Sequence, residues 1–155
     1  MALFLSTYSN KIDKKGRVSV PVSFRLYSKE DRPLIVVPSF EEGYLLGGDF
    51  DYFQSLSSRL LEKSSHDLNA QDLASIIFSK AHILHLDPEG RTSLPLSLLG
   101  QAGIDTEITF VGKGDTFELW SPKNWEQEQE STRQRLNKVT LKEALFSLKK
   151  GLTHA

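Results

Sequence analysis

The sequence contains no cysteine. That excludes a disulfide framework, a thiolate metal site and a thiol nucleophile, and it suits a reducing compartment. No apolar run approaches the roughly 20 residues needed to cross a bilayer. The start, Met1-Ala-Leu-Phe-Leu, has no basic lead and turns polar by Ser6, so no signal peptide and no membrane partner are expected. Charge of one sign is not in excess either, with a formal net charge of −1. A chain-wide attraction to nucleic acid is therefore not expected. No Ser/His/Asp set and no paired carboxylates stand in a catalytic frame, so no enzyme, cofactor or small-molecule substrate is expected.

What is present is 155 residues, 39% of them hydrophobic. That suffices for one compact domain, or for two halves that share a core or oligomerise. The near-zero charge hides a pattern. Residues 1–32 carry seven Lys/Arg against three Asp/Glu, and residues 121–155 carry seven against four. Residues 33–80 carry three against seven, and 81–120 two against six. Positive charge is densest at Lys11, Lys14, Lys15 and Arg17. For an anionic partner such asymmetry matters more than the total.

The dominant feature is a repeat. Asp13-Lys-Lys-Gly-Arg-Val-Ser-Val-Pro-Val-Ser23 recurs as Asp87-Pro-Glu-Gly-Arg-Thr-Ser-Leu-Pro-Leu-Ser97, 74 residues later. Asp, Gly, Arg, Ser, Pro and Ser are identical, and the flanking apolar positions match in kind. After a one-residue deletion the match continues. Leu34–Val37 corresponds to Glu107–Phe110, Glu41–Gly43 to the turn at Gly112–Asp115, and Tyr44–Leu46 to Phe117–Leu119. Two similar units predict a pseudo-twofold molecule that presents one surface element twice.

Each unit reads as strand–turn–strand–helix, which makes the fold class α+β. Asp13 to Gly16 and Asp87 to Gly90 are type I turns, with Asp at the first position and Gly at the fourth. Arg17–Val20 and Arg91–Leu94 alternate as strands. Pro21 and Pro95 open short helices, ending near Leu26 and Gly100. Between the halves, Phe53, Leu56 and Leu60 form one helical stripe and Leu73, Ile76 and Ile77 another, with Asn69 as the expected N-cap and Ser64–Asp67 as the break. Ser121-Pro122 starts a largely polar helix. Thr140-Leu-Lys-Glu143 reads as a capping box for a last helix with Leu141, Leu145 and Leu148 as its stripe, ending at Gly151. That stripe is expected to pack on its own fold or on a neighbouring subunit. The corresponding division is 1–53, first repeat; 54–80, linking helices; 81–125, second repeat; 126–155, helical tail.

The paired Asp-x-x-Gly-Arg-x-x-x-Pro segments, with Tyr8, Phe24-Arg25, Ala102-Gly103-Ile104, Phe117-Glu-Leu-Trp120 and Trp125, resemble the MraZ family of bacterial regulators, within the AbrB-like swapped-hairpin group. The resemblance covers roughly residues 3–125. It implies two AbrB-like repeats interleaved into a pseudo-twofold swapped-hairpin barrel, and several chains assembled into a ring-shaped homo-oligomer. It further implies Asp-x-x-x-Arg loops on one face that meet double-stranded DNA. The implied target is a set of short direct repeats in the promoter of the division and cell-wall gene cluster. The implied location is the cytoplasm, at the nucleoid. The chain departs from the family at Ser6, where Gly is usual, at Leu99, where the second unit often carries Arg, and at Asp49–Tyr52, where Pro and Trp are commoner.

Residue chemistry gives the loops their expected roles. Arg17 can bridge a guanine edge or pair with phosphate. Lys14 and Lys15 suit phosphate contacts, which position without specifying. Asp13 and Asp87, with Gly16 and Gly90, are expected to structure the loops, Asp13 by capping its turn and orienting Arg17. In the second loop Pro88 and Glu89 replace the lysines, so Arg91 is expected only to assist. Two other readings stay open on the residues alone. The Asp/Arg sets can be plain turn-stabilising ion pairs, or the loops can bind an acidic protein surface as an interaction scaffold. His82 and His85, three apart in a strand, face opposite sides and do not suit chelation. Gly112–Thr116 lacks the spacing of a phosphate loop and reads as a hairpin turn.

Overall fold

In the computed structural model, which describes residues 1–39, 41, 43–136 and 138–153, the chain is a mixed α+β protein. Its strands are β1 (Thr7–Lys11), β2 (Arg17–Ser19), β3 (Ile35–Pro38), β4 (Tyr44–Gly48), β5 (His82–Ile83), β6 (Arg91–Ser93), β7 (Glu107–Gly112) and β8 (Thr116–Trp120). Its helices are α1 (Val22–Arg25), α2 (Phe50–Ser64), α3 (Leu68–Ser79), α4 (Leu96–Gln101), α5 (Pro122–Arg135) and α6 (Lys138–Thr153). Residues 1–122 form one compact unit and residues from Lys123 onward a second.

Within the first unit, six strands form an antiparallel sheet in the order β1-β7-β8-β4-β3-β5. This order is a palindrome of the repeat. The β3–β4 hairpin of the first half and the β7–β8 hairpin of the second meet at the centre through β4 and β8. The strand that precedes each Asp-turn lies on the other half's hairpin: β1 pairs with β7, and β5 pairs with β3. The strands that follow the turns, β2 and β6, pair only with each other as a separate ribbon.

The core explains why the halves are not separable. Phe24 of α1 makes edge or tilted ring contacts with Phe4, Tyr8, Phe110 and Phe117, drawing residues from both repeats into one cluster. Phe4, Phe24 and Phe117 are fully buried together with Leu34, Leu45, Ile108 and Leu119. Burial of such side chains is worth about 1.5–3 kcal/mol each, so the shared cluster dominates the stability of the unit. Gly47 admits the Phe117 ring where any side chain would collide with it. A second cluster packs α2 and α3 on the sheet through Val37, Phe53, Leu60, Ala70 and Ile77.

Several expectations are corrected. Asp67, not Asn69, caps α3, its carboxylate accepting from the Asn69 amide at 2.9 Å. Asp competes well for that position because it can accept the amide while its own backbone stays extended. The inward face of α3 is Ala70 and Ile77 with Ala74 and Phe78, whereas Leu73 and Ile76 are exposed. Ala70 and Ala74 leave room for α2, and Ile77 and Phe78 pack beside them. Pro21 and Pro95 are the N-caps of α1 and α4 rather than first helical residues; the Pro21 carbonyl accepts from the Phe24 and Arg25 amides. Helix α6 already begins at Lys138, so Thr140 lies inside it, and it continues through Gly151 to Thr153. A single glycine costs a helix only about 1 kcal/mol and does not stop it. Leu141, Leu145 and Leu148 are exposed. The turn expected at Glu41–Gly43 falls partly outside the described residues.

A candidate nucleic-acid interface

The two loops are built alike, atom for atom. Asp13 Oδ1 accepts from the amides of Lys15 and Arg17, both at 2.9 Å, and Oδ2 accepts from Arg17 Nε at 2.7 Å. Asp87 Oδ1 accepts from the amides of Glu89 and Arg91, both at 2.9 Å, and Oδ2 accepts from Arg91 Nε at 3.1 Å. Each turn closes by an amide of Gly16 or Gly90 donating to the Asp carbonyl three residues earlier. Both glycines sit at φ +81°, a left-handed conformation that side-chain-bearing residues adopt at a cost.

These contacts hold both carboxyls below the ordinary carboxylate range. At Asp13 the largest cause is the Arg17 amide, followed by its side chain; at Asp87 it is the Arg91 amide. The spacing follows from chemistry. A carboxylate at the first turn position reaches the amides two and four residues on, and only the fourth residue's side chain returns to its second oxygen. In each loop the Arg is held through its Nε.

The ribbon then fixes where the two arginines lie. Arg17 pairs with Ser93, Val18 with Thr92, and Ser19 with Arg91. Paired residues of an antiparallel ribbon share a face. Val18 and Thr92 are buried, so Arg17, Ser19, Arg91 and Ser93 form the exposed face. Diagonal positions on such a face are about 7–8 Å apart. The structure thus brings Arg17 and Arg91 together at opposite ends of one short surface. Reciprocal bonds lock the two turns to it: the Leu94 amide donates to the Gly16 carbonyl at 2.8 Å, and the Val20 amide to the Gly90 carbonyl at 3.0 Å. Lys14 and Lys15 are exposed at the tip of the first turn.

The halves differ in charge and in support. Around Arg17 the turn supplies Lys14 and Lys15. Around Arg91 it supplies Glu89, whose carboxylate lies 3.2 Å from Arg91 Nη2. Arg25 of the first half reaches the second loop, donating from Nη1 to the Glu89 carbonyl at 3.0 Å and covering Gly90. The corresponding residue of the second half is Leu99, whose Cδ1 would stand 3.4 Å from a side chain on Gly16.

Sequence reasoning missed the structural roles of Arg25, Asn10 and His82. Asn10 Nδ2 donates to the Ser19 carbonyl at 2.7 Å, and His82 Nε2 lies 3.1 Å from the Ser93 carbonyl. Both tie the ends of the ribbon to the main sheet. Only the 74-residue offset relating Arg25 to Leu99 hinted at such cross-contacts. Among the described residues, no group of three or more acidic or histidine side chains is placed to hold a metal ion. No helix among them is long and apolar enough to cross a membrane. A cleft of about 230 Å³ lined by Met1, Asp49, Tyr52, Leu56 and Arg59 includes none of the loop residues.

Comparison with known proteins points one way. The transcriptional regulator MraZ of Pelagibacter ubique (strain HTCC1062) is 40% identical over 144 residues, covering 90% of this chain and 93% of that protein. The transcriptional regulator MraZ of Gluconobacter oxydans (strain 621H) is 35% identical over 140 residues, with 87% and 85% covered. The chain belongs to the MraZ family. A family model described as "MraZ protein, putative antitoxin-like" also matches residues 77–148, which take in the second loop. At Ser6 and Leu99, two positions singled out by the sequence, the structure supplies a physical reading. Ser6 holds φ +73°, the left-handed region that favours glycine. Leu99 faces the first loop with an apolar side chain where an arginine would bring charge.

Proposed function

We propose that this protein is a sequence-specific, DNA-binding transcriptional regulator. The observation that carries the reading is the ribbon face on which Arg17 and Arg91, each steadied by its own aspartate, stand diagonal to one another. A two-stranded ribbon fits the major groove, and arginine matches the O6/N7 edge of guanine. In this reading Arg17 reads bases, Lys14 and Lys15 hold phosphates, and Arg91 assists from the more acidic loop. Residues 1–53 and 81–125 act as the two AbrB-like repeats of a swapped-hairpin barrel, with 54–80 as linker and 126–155 as tail.

The same reading has the protein working in the cytoplasm, at the nucleoid, as a ring-shaped homo-oligomer. It binds short direct repeats in the promoter of its division and cell-wall cluster. Exposed apolar side chains such as Leu3, Leu5, Val22, Leu26 and Leu96 support self-association. A ring engaging tandem repeats compensates for the weak hold of a single loop.

The test is fluorescence anisotropy on a duplex from immediately upstream of the gene, against a scrambled duplex, across a salt series. Preferential, salt-sensitive binding that loses its preference in Arg17→Ala supports the reading. Equal binding of both duplexes by wild type and variant would overturn it.

A further inference from the structure

The second loop contains an acidic side chain in a place where a DNA contact would need none. Arg91 is held twice. Asp87 occupies its Nε at 3.1 Å, and Glu89 lies 3.2 Å from Nη2. Among the described residues Arg17 has the Asp13 contact alone, with Lys15 at the position of Glu89. Glu89 is itself fixed by its backbone. Its amide donates to Asp87 Oδ1 at 2.9 Å, and its carbonyl accepts from Arg25 Nη1 at 3.0 Å. Arg25 Nε is buried without a hydrogen-bond partner among the described residues.

We infer that Glu89, seated by Arg25, competes with DNA for Arg91 and thereby sets the protein's selectivity between specific and non-specific sites. This rests on the DNA-reading role proposed above. A DNA acceptor that takes Arg91 Nη2 displaces the Glu89 carboxylate from it. A phosphate offers one anion in exchange for another, and the freed carboxylate then stands beside the DNA backbone and repels it. A guanine edge offers two acceptors in the guanidinium plane and carries no full negative charge for that carboxylate to repel. The contact therefore disfavours phosphate-only binding more than base reading. Arg91 and Glu89 are 52% and 73% exposed, so the pair is solvent-screened and its effect is modest.

The test compares wild type with Glu89→Gln and Glu89→Lys on the upstream and scrambled duplexes over a salt series. Affinity for the scrambled duplex should rise about threefold in Glu89→Gln, in line with an exposed pair. It should rise further in Glu89→Lys, with a salt slope steeper by about one. Affinity for the upstream duplex should stay within about twofold in Glu89→Gln, so selectivity falls. In an Arg91→Ala background the effect of Glu89→Gln on selectivity should vanish. Selectivity that is unchanged or increased in Glu89→Gln, or an effect that survives without Arg91, overturns the inference. Wild-type protein that does not distinguish the duplexes at all fails the DNA-reader reading and the inference with it. In that event, slowed exchange of the Arg91 Nη2 hydrogens in the free protein, lost in Glu89→Gln, still reports whether the contact exists.

Discussion

Arg25 lies across Gly90, and its guanidinium fills the space in which a side chain on that glycine would begin. At Gly16 the corresponding obstacle is the backbone carbonyl of Leu94. The two equivalent glycines are therefore not equally replaceable. Both substitutions to Ala incur the left-handed strain of φ +81°, about 1–2 kcal/mol. The far end of Arg25 can swing aside, but the Leu94 carbonyl cannot move without breaking the ribbon. Gly90→Ala should cost about 1–2 kcal/mol and Gly16→Ala about 2–4 kcal/mol by urea denaturation. Equal costs would show that the two supports are equally yielding.

Ser6 invites the opposite change. Its φ of +73° carries strain that glycine removes, while the Gly112 amide still donates to the residue 6 carbonyl. Relief of about 1–2 kcal/mol is set against about 0.4–1 kcal/mol of added freedom in the unfolded chain. Ser6→Gly should raise the urea midpoint slightly, by up to about 1 kcal/mol of stability. A lowered midpoint would mean that the serine side chain contributes more than its backbone costs.

The lowered carboxyls of Asp13 and Asp87 give the fold an acid limit. Folding favours their charged forms, so the stability they add is complete above the unfolded value of about 3.9. It is lost as pH falls through the lower folded-state values. Urea midpoints from pH 7 down to pH 2.5 should drop more steeply below about pH 4 in wild type than in Asp13→Asn/Asp87→Asn. Parallel curves would remove these two groups from the acid response.

The lysines and Arg17 should separate cleanly in DNA binding. Lys14→Gln and Lys15→Gln should each lower the salt slope by about one and weaken both duplexes alike. Arg17→Ala should cost about 1–3 kcal/mol on the upstream duplex and relax preference. Loss of preference in the lysine variants would move base reading from the arginine to the turn tip.

Much of this was legible in the residues. The Asp-x-x-Gly-Arg spacing gives the turns, the strands after them and the helices opened at Pro21 and Pro95, because each depends on neighbours within about five positions. The partnership of β2 with β6, the crossing of Arg25 onto the second loop and the His82 contact to Ser93 were not legible. They join residues more than ten, and mostly more than sixty, positions apart, and no local periodicity encodes them. The cap of α3 was not legible either. Asp67 and Asn69 both suit an N-cap, and the extended backbone of Asp67, with its carboxylate on the Asn69 amide, decides between them.

The palindromic strand order has one more consequence. Because β1 belongs to the second hairpin and β5 to the first, the peptide bonds between Ser64 and Asp67 are not what joins the halves. A protease nick in that turn should leave two fragments that elute together and part only in denaturant. Within residues 1–122 each half lends an outer strand to the other, so strand pairing rather than the connecting peptide is the fastening.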